Sequence, residues 1–240
     1  MLFDIHCHVL PAIDDGSKSM EETEKMLRMA RKERIGTILA TPHYSCEREP
    51  GFYKRCQNVY EEVCKMIREK NLGIQLYLGN EIFYSSGVLE ALKRGEALTL
   101  NHTKYVLVEF APYVELLTIK KAVQELQMAG YFPILAHIER YECLKKESEV
   151  QNLADMGAYI QVNASSLTGR LGIRVQWYLK KLMRHGLVHV VATDAHGSKK
   201  RRPMIQEAAG YIKKKAGSDY CKKITEENPE KIIRGERICG

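Results

Sequence analysis

The chain has 240 residues and a mass of 27.5 kDa, with 45% hydrophobic and 28% charged residues, so we expect one domain spanning residues 1–240. No apolar run approaches the roughly 18 residues that a membrane span requires, and the amino-terminus lacks the basic and apolar regions of a signal peptide. We therefore expect a cytoplasmic protein without a membrane span. The formal net charge of +7 favours anionic partners without distinguishing phosphorylated protein, nucleotide or nucleic acid.

The cysteines do not suggest a disulfide framework. Their number is odd and no two of them form a CxxC pair. They are Cys7, Cys46, Cys56, Cys64, Cys143, Cys221 and Cys239.

Short apolar segments alternate with amphipathic ones along the whole chain, which indicates parallel strands joined by helices. The predicted strands are FDIHCHV, TILATPH, IQLYLGNEIF, YVLVEF, YFPILAH, AYIQVN and LVHVVATDAH. The first helix follows a capping box of Ser19 and Glu22 and stops at Gly36. Later helices are predicted over residues 52–70, 115–129, 146–156, 172–185 and 204–215.

This alternation of strands and helices predicts an α/β fold with about seven or eight strands, which suits a closed or slightly distorted (β/α) barrel. A doubly wound open sheet is the alternative. It is disfavoured because the first strand runs into histidines rather than into a glycine-rich phosphate loop.

Histidines and carboxylates recur at the carboxyl ends of the predicted strands. His6 and His8 should point the same way from the first strand, with Ile5 and Cys7 on the opposite face. The full set of nine candidate ligands is His6, His8, Asp15, His43, Glu81, Glu109, His137, Asp194 and His196. In a parallel barrel these ends share one rim, and mixed nitrogen and oxygen donors suit Mn, Fe, Zn or Mg rather than a thiolate zinc site.

A single HxH pattern is weak support for a metal site, because a buried histidine is more often a hydrogen-bonded core residue. Nine ionisable groups at matching strand ends are stronger support. The free-energy cost of burying them together without cations would exceed the stability margin of a domain, which is about 5 to 15 kcal/mol.

The order DIHCH, DDGSKS, TPH, GNEIFY, VLVEF, AHIERY and TDAH followed by RRP resembles the PHP (polymerase and histidinol phosphatase) superfamily of metal-dependent phosphoesterases. Within it, the chain is similar to the CpsB-type bacterial tyrosine-protein phosphatases of capsule and exopolysaccharide synthesis. The resemblance runs from residue 1 to about residue 235, and its most specific parts are DIHCH, DDGSKS and AHIERY.

The resemblance implies a distorted (β/α)7 barrel of PHP type, with three metal ions, usually Mn²⁺, at the carboxyl-terminal rim of the strands. It assigns His6, His8, Glu81 and Asp194 to the first ion, Glu81, Glu109 and His137 to the second, and Asp15, His43 and His196 to the third. Fe, Zn or Mg could replace some of these ions. Asp15 rather than Asp14 matches the family's ligand because it directly precedes the glycine of DDG.

The implied reaction is hydrolysis of phosphotyrosine by a metal-activated hydroxide, with Arg140 and Arg202 binding the phosphate. Arg201 could take the place of Arg202, because HGSKKRRP contains one residue more than the family pattern. The implied partner is the phosphorylated, tyrosine-rich tail of a bacterial tyrosine kinase. The chain lacks the H-C-x5-R signature of cysteine-dependent tyrosine phosphatases.

Several polar residues outside this set receive other interpretations. Asp4 is expected to orient a ligating imidazole, and the SKKRRP run is a plausible approach surface for an acidic phosphopeptide. Tyr44 and Tyr84 could line the substrate entrance. The remaining histidines, His102, His185 and His189, are expected to be structural or exposed.

Two other functions remain open at this point. One is a small-molecule phosphatase of the same superfamily, such as a histidinol-phosphatase, which the DDGSKS and HIERY matches disfavour. The other is a nucleic-acid-binding module or nuclease. The positive charge suggests it, but the basic run is short and no nucleic-acid motif accompanies it, so we expect no nucleic-acid partner.

Overall fold

In the computed structural model, which describes residues 1–238, the strands are parallel and form two sheets. The first sheet has the order β1 (Leu2–Cys7), β2 (Ile35–Ala40), β4 (Gln75–Leu78). The second has the order β3 (His43–Tyr44), β5 (Glu81–Phe83), β6 (Tyr105–Glu109), β7 (Phe132–Leu135), β8 (Tyr159–Asn163), β9 (Val190–Ala192).

The two sheets continue one another. Ala40 of β2 pairs with Leu78 of β4, and His43 of β3 pairs with Glu81 of β5, so the register is kept across both interruptions. Cys7 forms a parallel bridge with Ala195, which brings β1 beside the segment after β9. The predicted α/β fold with a curled parallel sheet is confirmed. The strands follow one another in chain order, without the reversal that defines a doubly wound sheet.

The helices cover the outer surface of the sheet and agree with the six predicted segments. These helices are α1 (Met20–Lys32), α2 (Phe52–Glu69), α4 (Leu116–Met128), α5 (Glu147–Asp155), α7 (Ile173–Arg184) and α8 (Gln206–Ala216). At the start of α1 the side chain of Ser19 accepts a hydrogen bond from the backbone N–H of Glu22, which is half of the predicted capping box. The Glu22 carboxylate accepts from the N–H groups of Lys18 and Ser198 instead of that of Ser19. The predicted stop at Gly36 is wrong, because α1 ends at Lys32 and Gly36 lies within β2. Four short helices were not predicted: α3 (Val88–Lys93), α6 (Ala164–Leu167), α9 (Ser218–Lys222) and α10 (Asn228–Arg234).

Most strand residues are apolar because both faces of the sheet are covered. Every residue of β2 and of β8 is buried, as expected for a parallel sheet packed on two sides. The smaller of two apolar clusters includes Ile5, Leu107, Ile134 and Val190 together with Ile232 from α10.

The end of the described chain closes the side of the sheet where the strands begin. The Tyr105 hydroxyl at the start of β6 donates to the carbonyl of Glu236 and accepts from the N–H of Ile238, and the Tyr159 hydroxyl at the start of β8 donates to the Ile238 carbonyl. The opposite side, where the strands end, is therefore left for polar residues.

The expected alternation in β1 is wrong in one respect. Ile5 and Cys7, expected on one face, pack in different apolar clusters. The pairing of β1 with β2 shifts register between Asp4 and Cys7, and such an irregularity breaks the two-residue period.

The six cysteines between residues 1 and 238 are free. Cys239 lies outside the described residues. In this part of the chain no helix combines the length and apolar character needed to cross a bilayer.

Candidate metal centre

The nine predicted ligands converge at the carboxyl ends of the strands. Three groups have ligand atoms within 4.8 Å of one another. We name them site A (His6, His8, Glu81, Asp194), site B (His43, Glu81, Glu109) and site C (His8, Asp15, His43, His196). They share Glu81, His8 and His43, so they form one connected cluster.

Site A contains the same four residues that were assigned to the first ion. Site C adds His8 to the residues assigned to the third. In site B the structure groups His43 with Glu81 and Glu109, whereas the sequence assignment used His137. His137 is nevertheless adjacent, since its Nε2 lies 2.8 Å from Glu81 Oε1 and 3.4 Å from Glu109 Oε1.

Local backbone geometry helps to bring these residues together. His43 and Glu81 follow the interruptions between β2 and β3 and between β4 and β5, and they lie side by side as a register pair. His137 and Asp194 have positive φ angles of 31° and 52°, a conformation that is uncommon for residues other than glycine and that concentrates at functional sites.

Three histidines direct the same ring nitrogen into the cluster. His6 Nδ1–H donates to Gln161 Oε1 at 3.1 Å, and His8 Nδ1–H donates to Asp14 Oδ2 at 2.7 Å. His196 Nδ1–H donates to the carbonyl of Asp194 at 3.0 Å. Because each partner oxygen can only accept, the Nε2 atom of each ring is left available as a ligand, the arrangement found around protein-bound metals.

The two neighbouring aspartates have different surroundings. The buried Asp14 carboxylate accepts hydrogen bonds from His8 Nδ1 and from the backbone N–H groups of Gly16 and His43. The Asp15 side chain is 66% exposed, and its Oδ1 lies 3.4 Å from His43 Nε2 and 3.5 Å from His196 Nε2. Asp14 thus positions an imidazole, while Asp15 has oxygen atoms free to bind a cation.

The carboxylates of the cluster favour positive charge in their surroundings. Burial alone would lower the pKa of His8, but its hydrogen bond to Asp14 and the nearby Glu81 carboxylate raise it to about 10. Burial would likewise lower the pKa of His137, but hydrogen bonds to Glu109 and Glu81 raise it to about 9. The neighbouring carboxylates therefore favour positive charge on these rings.

Buried atoms without partners support the same interpretation. Glu81 Oε2 lies 3.1 Å from Nε2 of both His6 and His8 and 3.0 Å from His43 Nδ1. Within the described chain, Glu81 Oε2, His137 Nδ1 and His196 Nε2 have no well-aligned hydrogen-bond partner. Buried polar atoms are rarely left this way, and imidazole and carboxylate donors suit divalent transition metals. The residues present therefore fit a metal centre.

A hydrogen-bonded pair on β8 supports site A and was missed from the sequence. Gln161 Oε1 accepts from His6 Nδ1 and from the His137 backbone N–H, and Gln161 Nε2 donates to Asn163 Oδ1. Asn163 Nδ2 in turn donates to Asp194 Oδ2 at 2.7 Å. The signal in the sequence is the pair of in-phase amides in AYIQVN, at the end of an otherwise apolar strand.

Replacing Gln161 with leucine is expected to lower metal affinity by about 10- to 100-fold, because the His6 ring loses the acceptor that fixes its tautomer. Titration of metal-free protein with Mn²⁺, followed calorimetrically, measures the change. Gln161→Glu keeps the acceptor and loses the donor to Asn163, so its affinity should fall between those of the other two proteins. Equal affinity of the leucine variant and the parent would refute the role given to Gln161.

Asp4 does not orient an imidazole, contrary to expectation. Its Oδ1 accepts from the backbone N–H groups of Thr193 at 2.9 Å and His6 at 3.4 Å, and its Oδ2 accepts from the Thr193 hydroxyl. Asp4 therefore bonds to the backbone of His6 and to that of Thr193, the residue before Asp194, rather than to the ring of a histidine ligand.

The remaining histidines lie outside the cluster, as expected. His189 is buried and accepts a hydrogen bond at Nδ1 from the N–H of Ile160, and burial lowers its pKa to about 4. His185 pairs with Glu147 on the surface. None of His102, His185 and His189 belongs to a candidate cation group in residues 1–238.

Two arginines border site A. Arg140 Nη2 donates to Asp194 Oδ2 and Arg201 Nη2 donates to Asp194 Oδ1, each at 2.6 Å. Both line a cavity of about 300 Å³, which we call the arginine cavity, and Arg202 also lines it. The Arg202 side chain is exposed and does not contact Asp194 in the described structure.

An open cleft of about 610 Å³ borders the cluster on the side of sites B and C. It is lined by Asp15, His43 and Glu109 together with Tyr44 and the exposed ring of Phe83. Tyr44 thus lines a cleft beside the cluster, and its place at a substrate entrance stays a prediction. Tyr84 instead packs on Phe110, and its hydroxyl donates to Glu125.

The curled parallel sheet and its connected groups of histidines and carboxylates define an α/β protein with a candidate metal centre. The chain belongs to the CpsB/CapC family, whose model, described as "Capsular polysaccharide synthesis, CpsB/CapC", matches residues 2–234. It is 34% identical to the tyrosine-protein phosphatase CpsB of Streptococcus pneumoniae, over 99% of this chain and 100% of that protein.

Two further comparisons agree. The chain is 33% identical to the tyrosine-protein phosphatase YwqE of Bacillus subtilis, over 99% of this chain and 93% of that protein. A crystal structure from work on YwqE and CpsB, described as unique metal-dependent tyrosine phosphatases, superimposes with a TM-score of 0.93 at 32% identity. That match covers 99% of this chain and 96% of the other.

Proposed function

We propose that this protein is a metal-dependent tyrosine-protein phosphatase that acts in capsule or exopolysaccharide synthesis. The observation that carries the proposal is that two arginines contact a residue of the candidate metal centre. Asp194 belongs to site A and also accepts hydrogen bonds from Arg140 and Arg201. A phosphate bound there would meet metal on one side and guanidinium groups on the other.

The proposed cofactor is Mn²⁺, with three ions held at sites A, B and C. His137 would serve site B as an additional ligand beside Glu81 and Glu109. Fe, Zn or Mg remains possible at some positions, because imidazole and carboxylate ligands do not select one metal by themselves. When bound, such ions supply Lewis acidity that activates water near neutral pH and neutralises phosphate oxygens.

The side chains of the protein bind and orient the phosphate. A guanidinium group has five N–H donors, so Arg140 and Arg201 retain donors for phosphate after each has bonded to Asp194. Their planar, permanently charged groups would stabilise the charge that develops in the transition state. The sequence assignment of Arg202 stays a prediction, and we propose Arg201 as the second phosphate ligand because of its contact with Asp194.

The finer features of the fold form part of the proposal. We propose one PHP phosphatase domain over residues 1–240, with a distorted (β/α)7 barrel and the metal centre at the carboxyl-terminal rim. The interrupted pairs β2 with β3 and β4 with β5 count as two strands in this description, which gives seven.

The proposed substrate is phosphotyrosine in the tyrosine-rich tail of a bacterial tyrosine kinase. A cytoplasmic location follows from such a partner, and the free cysteines between residues 1 and 238 agree with a reducing compartment. The open cleft favours a protein substrate over a small molecule such as histidinol phosphate, because a phosphotyrosine on a protein surface needs wide access.

Exhaustive chelation should abolish hydrolysis of a phosphotyrosine peptide, and added Mn²⁺ should restore it. The reason is that the side chains of sites A, B and C are ligands rather than nucleophiles, so activation of water depends on bound cations. Phosphate release from the peptide and from histidinol phosphate, measured in parallel, gives both specificity constants. Full activity after prolonged chelation would refute metal dependence, and a higher constant for histidinol phosphate would favour the small-molecule alternative.

A further inference from the structure

A second cavity of about 330 Å³ adjoins the arginine cavity. We call it the basic cavity. The two cavities share Ser165, Arg170, Arg201 and Arg202 in their walls, so they lie side by side. Lys199 and Lys200 line the basic cavity but not the arginine cavity.

The basic cavity has a strong excess of positive charge. Its lining includes five cationic side chains and one acidic side chain, Glu207. The five are Arg170, Lys199, Lys200, Arg201 and Arg202. Arg201 bonds to Asp194, but the other four form no ion pair with any described residue of the chain.

Many other surface cations of this protein do have acidic partners. Lys181 pairs with Glu147 at 2.8 Å, and Lys222 pairs with Glu227 at 2.9 Å. Four cations without such partners around one concave surface repel one another, and an anion bound among them would relieve that repulsion.

Two anchored loops present these charges. The N–H of Arg170 donates to the carbonyl of Ser165, in the segment after α6. In the other loop, the N–H of Ser198 donates to Glu22 on α1, and the N–H of His196 donates to the carbonyl of Arg201. The cations therefore sit on backbone that is tied to the ends of β8 and β9, next to site A.

We propose that the basic cavity is a subsite for a second anionic group of the substrate, close in sequence to the phosphotyrosine. This inference rests on the proposed phosphatase function. The anion is either the carboxylate of a flanking Asp or Glu or the phosphate of a neighbouring phosphotyrosine. Successive residues of an extended peptide are about 3.3 Å apart, so a group a few residues away reaches the adjoining cavity.

The test uses peptides in which phosphonomethyl-phenylalanine replaces phosphotyrosine, so that binding is measured without turnover. One peptide has neutral flanks, one has acidic flanks, and one carries a second phosphonate with neutral flanks. Fluorescence anisotropy with the metal-loaded protein should show about tenfold tighter binding of at least one of the two anionic peptides, with the advantage reduced at high salt. Which peptide gains identifies the source of the anion.

The variant Lys199→Gln/Lys200→Gln, which changes residues of the basic cavity that do not line the arginine cavity, should bind all three peptides with nearly equal affinity. Its matched control is Lys213→Gln/Lys214→Gln, which removes the same charge from exposed positions outside the cavities described here. The control should keep the preference. The proposed subsite would be refuted if the first variant still bound an anionic peptide more tightly than the neutral one, or if both variants lost that preference equally.

Hydrolysis of p-nitrophenyl phosphate separates this inference from the proposed function. Both double variants should hydrolyse it at the rate of the parent, because the small substrate does not reach the residues that line the basic cavity alone. Absence of hydrolysis by the parent protein would refute the phosphatase function, while the binding preference would still decide on the subsite.

Discussion

Replacing Glu81 with glutamine should reduce kcat/KM for a phosphotyrosine peptide by roughly 10³-fold, the equivalent of about 4 kcal/mol of lost metal stabilisation in the transition state. Glu81 is fully buried and belongs to both site A and site B. Burial would raise its pKa, but electrostatic attraction to the adjacent His6, the hydrogen bond with His137 and the contact with His43 hold that pKa well below its usual range. The carboxylate is thus ionised and ready to bind cations.

The matched control is Glu109→Gln, since Glu109 belongs to site B alone and is partly exposed. Its loss of activity and of bound metal should be smaller. Metal content by mass spectrometry and a circular dichroism spectrum should accompany the kinetics, because a misfolded variant would also be inactive. A folded Glu81→Gln protein with full metal content and full activity would contradict the shared-ligand arrangement.

Replacing Arg140 or Arg201 with glutamine should lower kcat/KM by about 10²-fold, in the range found when one donor to a developing oxyanion is removed. Arg202→Gln should lower it by less, because the Arg202 side chain is exposed and has no contact with Asp194 in the described structure. Steady-state kinetics on p-nitrophenyl phosphate measure all three proteins on a substrate without flanking residues.

Lysine variants at the same positions test the geometry of the contact. Arg140→Lys and Arg201→Lys keep the charge but lose the planar fork, so they should recover little of the lost activity. A larger loss for Arg202→Gln than for Arg201→Gln would restore the assignment made from the sequence.

Much of the fold could be predicted because its signals are local. The cap at Ser19 and the amphipathic segments define helices by short-range rules, and the apolar runs define strands covered on both faces. Gly36 misled because a glycine after a helical segment can equally lie in the next strand, as it does here. The short helices α3, α6, α9 and α10 lack such patterns, because four to seven residues are too few to show a helical period.

The site could be predicted where the two-residue alternation of a strand agreed with the family resemblance. The prediction was incomplete where a contact joins residues that the fold brings together. His6 and His8 were predicted together from strand geometry, but their acceptors Gln161 and Asp14 depend on tertiary placement. Arg201 has a φ of 47°, and this left-handed backbone conformation accompanies its contact with Asp194. No neighbouring residue in the sequence specifies that conformation.

The position of both described chain ends has a practical consequence. The Met1 amino group pairs with Glu226, and the segment up to Ile238 bonds to Tyr105 and Tyr159 where their strands begin. A fluorescent label or a surface tether attached at Met1 or near Ile238 would therefore lie on the face opposite sites A, B and C. Immobilised protein should keep its catalytic face open to macromolecules in solution.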